Sequence, residues 1–257
     1  MITSTANSQV KYLEKIRKKG KVRRQDGVFL IEGERIYLET PKERIQKAYI
    51  AESLYRARPD MVAGVPFEVL SDSVFAKAAD TLTPQGIMAL VHIKEMTRDE
   101  VLREEAPLYL VLDGLQDPGN LGTIMRTAEG AGVTAVIMSP DTVDIYNPKV
   151  IRATMGSIYR VPFFVEADIC ALLGAFKMRG IKSCAAHLNG VQDYDQESYL
   201  GGTAFLIGNE GNGLRAEVTK SAETLVKIPM AGELESLNAA MAAGLLMYEA
   251  ARQRRHQ

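Results

Sequence analysis

The chain has only two cysteines, Cys170 and Cys184, in 257 residues. Two thiols at that ordinary spacing, each in or beside an apolar segment, exclude a disulfide framework and a zinc site and predict reduced core residues. Long apolar runs are missing as well. No stretch could span a bilayer, and the opening MITSTANSQVKYLEK lacks the apolar core of a secretion signal, so no membrane partner is expected and a cytoplasmic location is. There is no internal repeat and no low-complexity segment, which excludes a solenoid or a long disordered tail. Nor is charge of one sign in excess, since 31 Lys and Arg face 32 Asp and Glu for a formal net charge of -1. That is the composition of an ordinary soluble globular protein, with length enough for one large domain or two smaller ones.

The near-zero total hides a local asymmetry. Between Gln9 and Arg24 lie Lys11, Lys15, Arg17, Lys18, Lys19, Lys21, Arg23 and Arg24, opposed only by Glu14. Such a cluster is the electrostatic footprint of phosphate binding, although a solvated helix face reads the same way.

Element patterning divides the chain in two. Residues 1–93 read as a basic helix, then strand VFLIE, a helix from Glu34, strand KAYIAE, a helix near Tyr55, strand PFEVLS, helix SVFAKAAD and strand GIMALVHI, the alternation of a small α/β domain. Residues 94–107, KEMTRDEVLREEAP, are charged, close on a proline and form the expected linker. From 108 to 257 the pattern restarts with strand LYLVLDG, a turn at Asp117-Pro118-Gly119 and a helix over 121–129. Strands TAVIMS, VPFFVE, KSCAAHL, TAFLIGN and TLVKIPM follow, with a helix over 169–179 and a last, mostly apolar helix over 238–252. Short connections and near-continuous apolar strands predict a parallel sheet covered on both faces. The last helix is apolar on most sides, which predicts burial in this core or against a second copy.

Three polar, glycine-bearing segments lie at or just beyond probable strand ends, where an open parallel sheet presents a ligand site. In NLGTIMR, Asn120 stands at an expected helix N-cap and Arg126 about a turn and a half on; read minimally, Asn120 only caps and Arg126 pairs with Glu129 on a wet face. In FLIGNEGNGL, residues 205 to 214, the glycine order departs from the dinucleotide fingerprint and Glu210 sets a carboxylate where a pyrophosphate would sit, which disfavours a nicotinamide cofactor; the minimal reading is a glycine-rich turn. In IPMAGELESLN, Ser236 reads as the N-cap of the last helix, and the absence of a G-x-S-x-G elbow or a nearby histidine argues against a serine hydrolase.

Together the three segments closely resemble the signature motifs of the SpoU/TrmH family of RNA 2′-O-ribose methyltransferases, in the SPOUT superfamily. The matches are N-x-G-x-x-x-R at Asn120, Gly122 and Arg126; I-G-N-E-G at 207 to 211; and I-P-M with S-L-N at 228 to 230 and 236 to 238. PKVIRATMGSIYRVPF, NSQVKYLEKIRKKGKVRRQDGVFLIEGERI and TLTPQGIMALV resemble the family's connecting region and its accessory substrate-binding domain, so nearly the whole chain is covered. The resemblance implies an α/β catalytic domain whose parallel sheet is tied in a deep trefoil knot, against the default of an unknotted chain, beside a smaller amino-terminal α/β RNA-binding domain. It implies S-adenosylmethionine as methyl donor, held by Gly208, Asn209, Ile228, Met230, Leu237 and the strand end at Ala186 and His187, with no metal required. Arg126 is then the central catalytic residue, supported by Asn120, Glu210, Ser236 and Asn238, and Lys11, Lys18, Lys19, Arg23 and Arg24 are the RNA contacts. Family likeness further implies a homodimer and, from the separate amino-terminal domain, ribosomal rather than transfer RNA. A guanidinium stays protonated at neutral pH, so Arg126 is expected to grip a phosphate and polarise the ribose oxygen rather than act as a base. Three other readings compete: a transfer RNA 2′-O-methyltransferase, a non-catalytic RNA or ribosome-assembly binder, and a nucleotide-cofactor oxidoreductase disfavoured by its glycine order.

Overall fold

The structure is a computed structural model that describes residues 1–94, 96–102, 105–234 and 236–255. The first part of the chain runs α1 (Ser8–Lys18), α2 (Gly20–Asp26), β1 (Val28–Glu32), α3 (Glu34–Glu39), β2 (Ile45–Ala51), α4 (Glu52–Ala57), β3 (Phe67–Leu70), α5 (Asp72–Ala78) and β4 (Ile87–His92). It continues α6 (Arg98–Val101), β5 (Leu108–Leu112), α7 (Pro118–Ala131), β6 (Ala135–Met138), α8 (Pro148–Thr154), β7 (Phe163–Val165), α9 (Ile169–Met178), β8 (Lys182–Ala186), β9 (Gln192–Asp193), β10 (Thr203–Ile207), α10 (Ala216–Ser221), β11 (Thr224–Lys227) and α11 (Ala239–Arg255). Two compact units result, one of residues 1–94 with 144–156 and one of residues 95–143 with 157–257.

The first unit is built on a four-stranded sheet of order β1-β4-β2-β3, antiparallel except for the β2–β3 pair. Its helix α1 forms because Val10, Leu13 and Ile16 recur on one face while the Asn7 side chain accepts from Gln9 N at 2.8 Å and caps the first turn. That face, with Val74 and Phe75 of α5, packs on Val28, Leu30 and Leu90. Strand alternation sends Phe29 to the other side, where its ring lies 4.8 Å from that of Tyr146. Residues 144–156 therefore complete the first unit by covering the second face of its sheet, although they come from the middle of the sequence and were read as part of the 108–257 stretch. Arg23 ties them in: its guanidinium donates to Asp144 Oδ2 at 2.6 and 3.1 Å.

The second unit carries a seven-stranded sheet of order β7-β6-β5-β10-β8-β11-β9, all pairs parallel. Near-continuous apolar strands produce it. Tyr109, Val111, Ile137, Leu206 and Ala185 face a core shared with Leu172, Leu173 and Phe176 of α9, while α7 and α11 pack on each other beneath β10 on the opposite side. Cys184 is buried, and burial pushes its thiol up to about 12; Cys170 is only half-buried, and both are free. The last helix is buried along Ala239, Ala243, Leu246, Met247 and Ala250 but exposes Met241, Leu245 and Tyr248, so burial within this chain covers one side of it alone. Among the described residues no helix is long and apolar enough to cross a membrane.

One feature of the sheet order constrains the chain path. The consecutive strands β8 and β9 straddle β11, so residues 187–191 must cross over β11 where it ends. The crossing is flush: a Cβ on Gly190 would lie 2.5 Å from Lys227 N and 2.6 Å from Val226 C. Gly190→Ala is therefore expected to destabilise the protein by about 1–3 kcal/mol, as overpacking does elsewhere. Thermal unfolding checks this, and an unchanged Tm would refute so tight a crossing.

Candidate active site

Four adjacent parallel strands, β5, β10, β8 and β11, end in one row. Leu112 pairs with Ile207, Leu206 with Ala185, and Ala186 with Val226. The residues just beyond those ends, Gly114, Gly208, His187 and Ile228, are thereby brought to one edge, where the three glycine-bearing segments meet.

The first segment begins helix α7, but its cap is Asp117 rather than Asn120. Asp117 Oδ1 accepts from Asn120 N at 2.7 Å and Pro118 fills the first helical position, where a missing N–H costs nothing. Asn120, three residues beyond that cap, keeps its side chain for other work. Its Nδ2 donates to Glu210 Oε1 at 2.9 Å, and its Oδ1 accepts from Asn238 Nδ2 at 2.9 Å. A single amide thus joins all three segments. Glu210 also accepts from the backbone N–H of Gln116 at 3.1 Å and of Asp117 at 3.0 Å. Partial burial alone would raise the Glu210 carboxyl, but the bonds from Asn120, Gln116 and Asp117 outweigh it and hold it below the usual range. The carboxylate sits at the N-terminus of α7, where the helix dipole favours an anion.

The loop that carries Glu210 is fixed from several sides. Asn209 Nδ2 donates to Gly114 O at 2.8 Å, and its Oδ1 accepts from Gly211 N and Asn212 N at 2.9 and 3.2 Å. The backbone closes between Asn209 and Gly213, whose φ is 68°. A Cβ on Gly208 would lie 2.1 Å from Gly213 C, so only glycine fits there. Asp113, 2 % exposed at the end of β5, accepts from Arg215 N at 3.0 Å and Arg215 Nε at 2.8 Å. Asp113 and Arg215 were missed from sequence; the signal was an acid closing an apolar strand, LYLVLD, which must find a partner when buried.

The third segment places Asn238, not Ser236, at the start of α11: Asn238 Oδ1 accepts from Ala240 N at 2.9 Å and Met241 N at 3.3 Å. Ser236 is exposed and lies outside that cap. Arg126 is exposed on α7 and does not pair with Glu129. Arg160 and then Ser157 bind Glu129 instead and hold its carboxyl below the usual range. Arg126 is also outside the Glu210–Asn120–Asn238 chain of bonds.

The seven residues expected to hold a cofactor, Ala186, His187, Gly208, Asn209, Ile228, Met230 and Leu237, are all half-buried. Backbone at strand ends flanked by Ile228, Met230 and Leu237 suits a flat, largely apolar ligand with a few polar atoms, such as an adenosyl group. His187 Nδ1 accepts from Asn189 N at 3.1 Å. In the first unit, Lys11, Lys18, Lys19 and Arg24 are exposed, as RNA contact requires. Arg23 is not: it is 4 % exposed and its guanidinium is spent on Asp144, Ile16 O and Arg17 O. Its place among the expected RNA contacts is corrected to a strut of the fold.

The chain resembles known proteins along nearly its whole length. The SpoU rRNA Methylase family matches residues 107–248, and the MRM3-like substrate binding domain matches residues 7–89. The chain is 34% identical over 248 residues to the 23S rRNA (guanosine(2553)-2'-O)-methyltransferase RlmP of Bacillus subtilis, covering 96% of this chain and 97% of that one. It is 31% identical to the 23S rRNA (guanosine-2'-O-)-methyltransferase RlmB of Vibrio parahaemolyticus, over 88% of this chain and 96% of that one. Among solved structures, the AdoMet-bound rRNA methyltransferase from Sinorhizobium meliloti superposes with a TM-score of 0.85 at 28% identity, covering 99% of this chain and 97% of that one.

Glu210→Gln tests the anchor. It should lower stability at neutral pH by about 1 kcal/mol, since an amide presents a donor to N–H groups and the site is partly solvated. A carboxyl held low when folded contributes above its unfolded value, near 4.3, and ceases to do so as pH falls through the folded value. The gap in Tm between wild type and variant should accordingly close below about pH 4; a gap independent of pH would mean that the charge is not what the site uses.

Proposed function

This chain belongs to the SpoU rRNA methylase family, and we propose that it transfers a methyl group from S-adenosylmethionine to a ribose 2′-hydroxyl of ribosomal RNA. The observation that carries the reading is the hydrogen-bonded chain Glu210–Asn120–Asn238, which draws the three glycine-bearing segments to one edge of the sheet. Ribosomal RNA is favoured over transfer RNA because relatives named as 23S rRNA enzymes align along nearly their whole length, amino-terminal unit included. A solved structure for 2-OH methylation of C/U34 on tRNA matches 58% of this chain. An oxidoreductase is disfavoured on physical grounds: the anion position at the start of α7, which a dinucleotide phosphate could use, is filled by the protein's own Glu210.

The donor supplies a methyl group already activated on a sulfonium. Backbone and side chains at Gly208, Asn209, Ala186, His187, Ile228, Met230 and Leu237 hold it. We assign Asn120, Glu210, Ser236 and Asn238 to shaping and supporting the nucleotide site. In the transfer, the ribose oxygen forms its bond to the methyl carbon as the carbon–sulfur bond breaks, and the hydroxyl proton leaves to a phosphate oxygen or water. Among the described residues nothing binds the Arg126 guanidinium, and its planar fork of donors is the shape that binds a phosphate bidentately and stabilises negative charge growing on the neighbouring oxygen. The path at β8, β11 and β9 supports a trefoil knot in which the chain beyond Lys227 passes beneath the 187–191 crossing. Met241, Leu245 and Tyr248, exposed at i, i+4 and i+7 on α11, support a homodimer through this face. The reaction belongs with ribosomal RNA in the cytoplasm.

Labelled S-adenosylmethionine should transfer label to unmodified 23S ribosomal RNA, and nucleoside analysis should find it in a 2′-O-methyl nucleoside. Arg126→Ala should abolish transfer with donor affinity intact, and Arg126→Lys, which keeps charge but loses the fork, should reduce it by about 10²-fold or more. Near-normal turnover by the lysine variant would exclude bidentate phosphate binding. For the dimer, sedimentation should give twice the chain mass, and Met241→Asp with Leu245→Asp should reduce it to one; a wild-type monomer at all concentrations would refute the interface.

A further inference from the structure

We propose that the 80–85 loop of the first unit, with Leu82 at its tip beside the basic α1–α2 segment, is a docking surface for unpaired bases of the RNA substrate; this rests on the RNA methyltransferase reading. Leu82 is the most exposed large apolar side chain among the described residues, with its whole surface open to solvent. A lone exposed leucine means little. This one stands on a loop that is pinned at both ends and tied to α1 at Arg17, after which four exposed basic residues follow in sequence.

The pinning uses buried or paired acids. Glu32, 9 % exposed at the end of β1, accepts from Asp80 N at 2.7 Å, from Thr81 N at 3.2 Å and from the Thr81 hydroxyl. The Asp80 carboxylate is bound by Arg152 at 2.8 Å, with Arg17 at 3.9 Å. At the far end Gln85 Oε1 accepts from Glu34 N at 2.8 Å. A loop so held presents its tip in a fixed place, and ordering entropy is not charged again on binding.

Arg17 also fixes the loop against α1, since its Nη1 donates to Ala78 O at 2.9 Å and to Ala79 O. The residues that follow Arg17 in sequence are Lys18, Lys19, Lys21 and Arg24, all exposed. The nearby acids are already engaged: Glu14 lies 3.9 Å from Lys18, Asp26 accepts from the Tyr12 hydroxyl, and Asp80 and Glu32 serve the loop. From Lys11 to Arg24 eight basic residues stand against Glu14 alone, so positive charge is in excess along the segment that Arg17 ties to the loop. RNA is the partner that offers both complements at this scale, phosphates for the cations and the face of an unstacked base for the leucine.

The full-length protein would be assayed for binding to an unmodified 23S ribosomal RNA transcript and to a fully paired RNA duplex at several salt concentrations. Leu82→Ala should weaken transcript binding about tenfold, raise KM for RNA with kcat unchanged, and leave duplex binding, salt slope and donor affinity as in wild type. Lys19→Glu with Arg24→Glu should instead flatten the salt slope on both RNAs. Full transcript affinity in Leu82→Ala, or equal loss on transcript and duplex, overturns the proposal. So does a defect seen only on protein-containing ribosomal particles, which would make the partner a protein. Leucine-dependent binding without methyl transfer in the wild type would keep this surface and sink the enzymatic reading.

Discussion

The carboxylate of Glu210 is the constraint on which the site depends. It stands at the start of α7, accepts from two backbone N–H groups there and from Asn120 Nδ2, and so fixes the loop after β10 against the loop after β5. Asn120 has one acceptor left, and Asn238 takes it while capping α11 with its own oxygen. Each amide has its donor and acceptor ends used in opposite directions, so a flip of either would set like against like. The arrangement is polar, partly solvated and satisfied, which is how a site keeps its geometry without a dry core around it.

Parallel strand order makes this possible. Because β10 lies between β5 and β8, and β11 beyond β8, segments about ninety residues apart in sequence end side by side. The same order forces the crossing of 187–191 over β11 and makes Gly190 and Gly208 close-approach positions rather than flexible ones. Neither glycine has a positive φ; space, not backbone freedom, dictates the residue type.

Much of this was legible in the sequence. Strands such as LYLVL and TAFLI announce themselves by continuous apolarity, whereas Asp117-Pro118-Gly119, expected as a turn before a helix over 121–129, is the cap and first turn of α7 itself. What failed was local and physical. Asn120 and Ser236 were read as caps because their residue types favour capping, but Asp117 and Asn238 stood nearby and tertiary bonds claimed Asn120. Arg23 looked like its basic neighbours; only packing could reveal that its carboxylate partner, Asp144, is 121 residues away. The membership of residues 144–156 in the first unit was likewise hidden, since a short helix carries no mark of which sheet it will cover. Asp113 and Arg215 were passed over because an ion pair across 102 residues leaves no pattern in either place.

The state of Arg126 gains meaning from six other arginines of the second unit, each of which has its guanidinium engaged. Arg98 pairs with Glu166, Arg160 with Glu129, Arg215 with Asp113 and Arg252 with Glu249. Arg179 and Arg254 are spent on backbone carbonyls, and burial lowers the proton affinity of Arg254. Arg126 has Glu129 within reach along its own helix, yet that acid is committed to Arg160 and Ser157. Taking the nearest carboxylate away from an arginine leaves its five donors and its charge for an anion brought from outside. Among the described residues Arg126 is thus left without a partner because Glu129 has a better one, and an external anion such as a phosphate has the charge and geometry to match its fork.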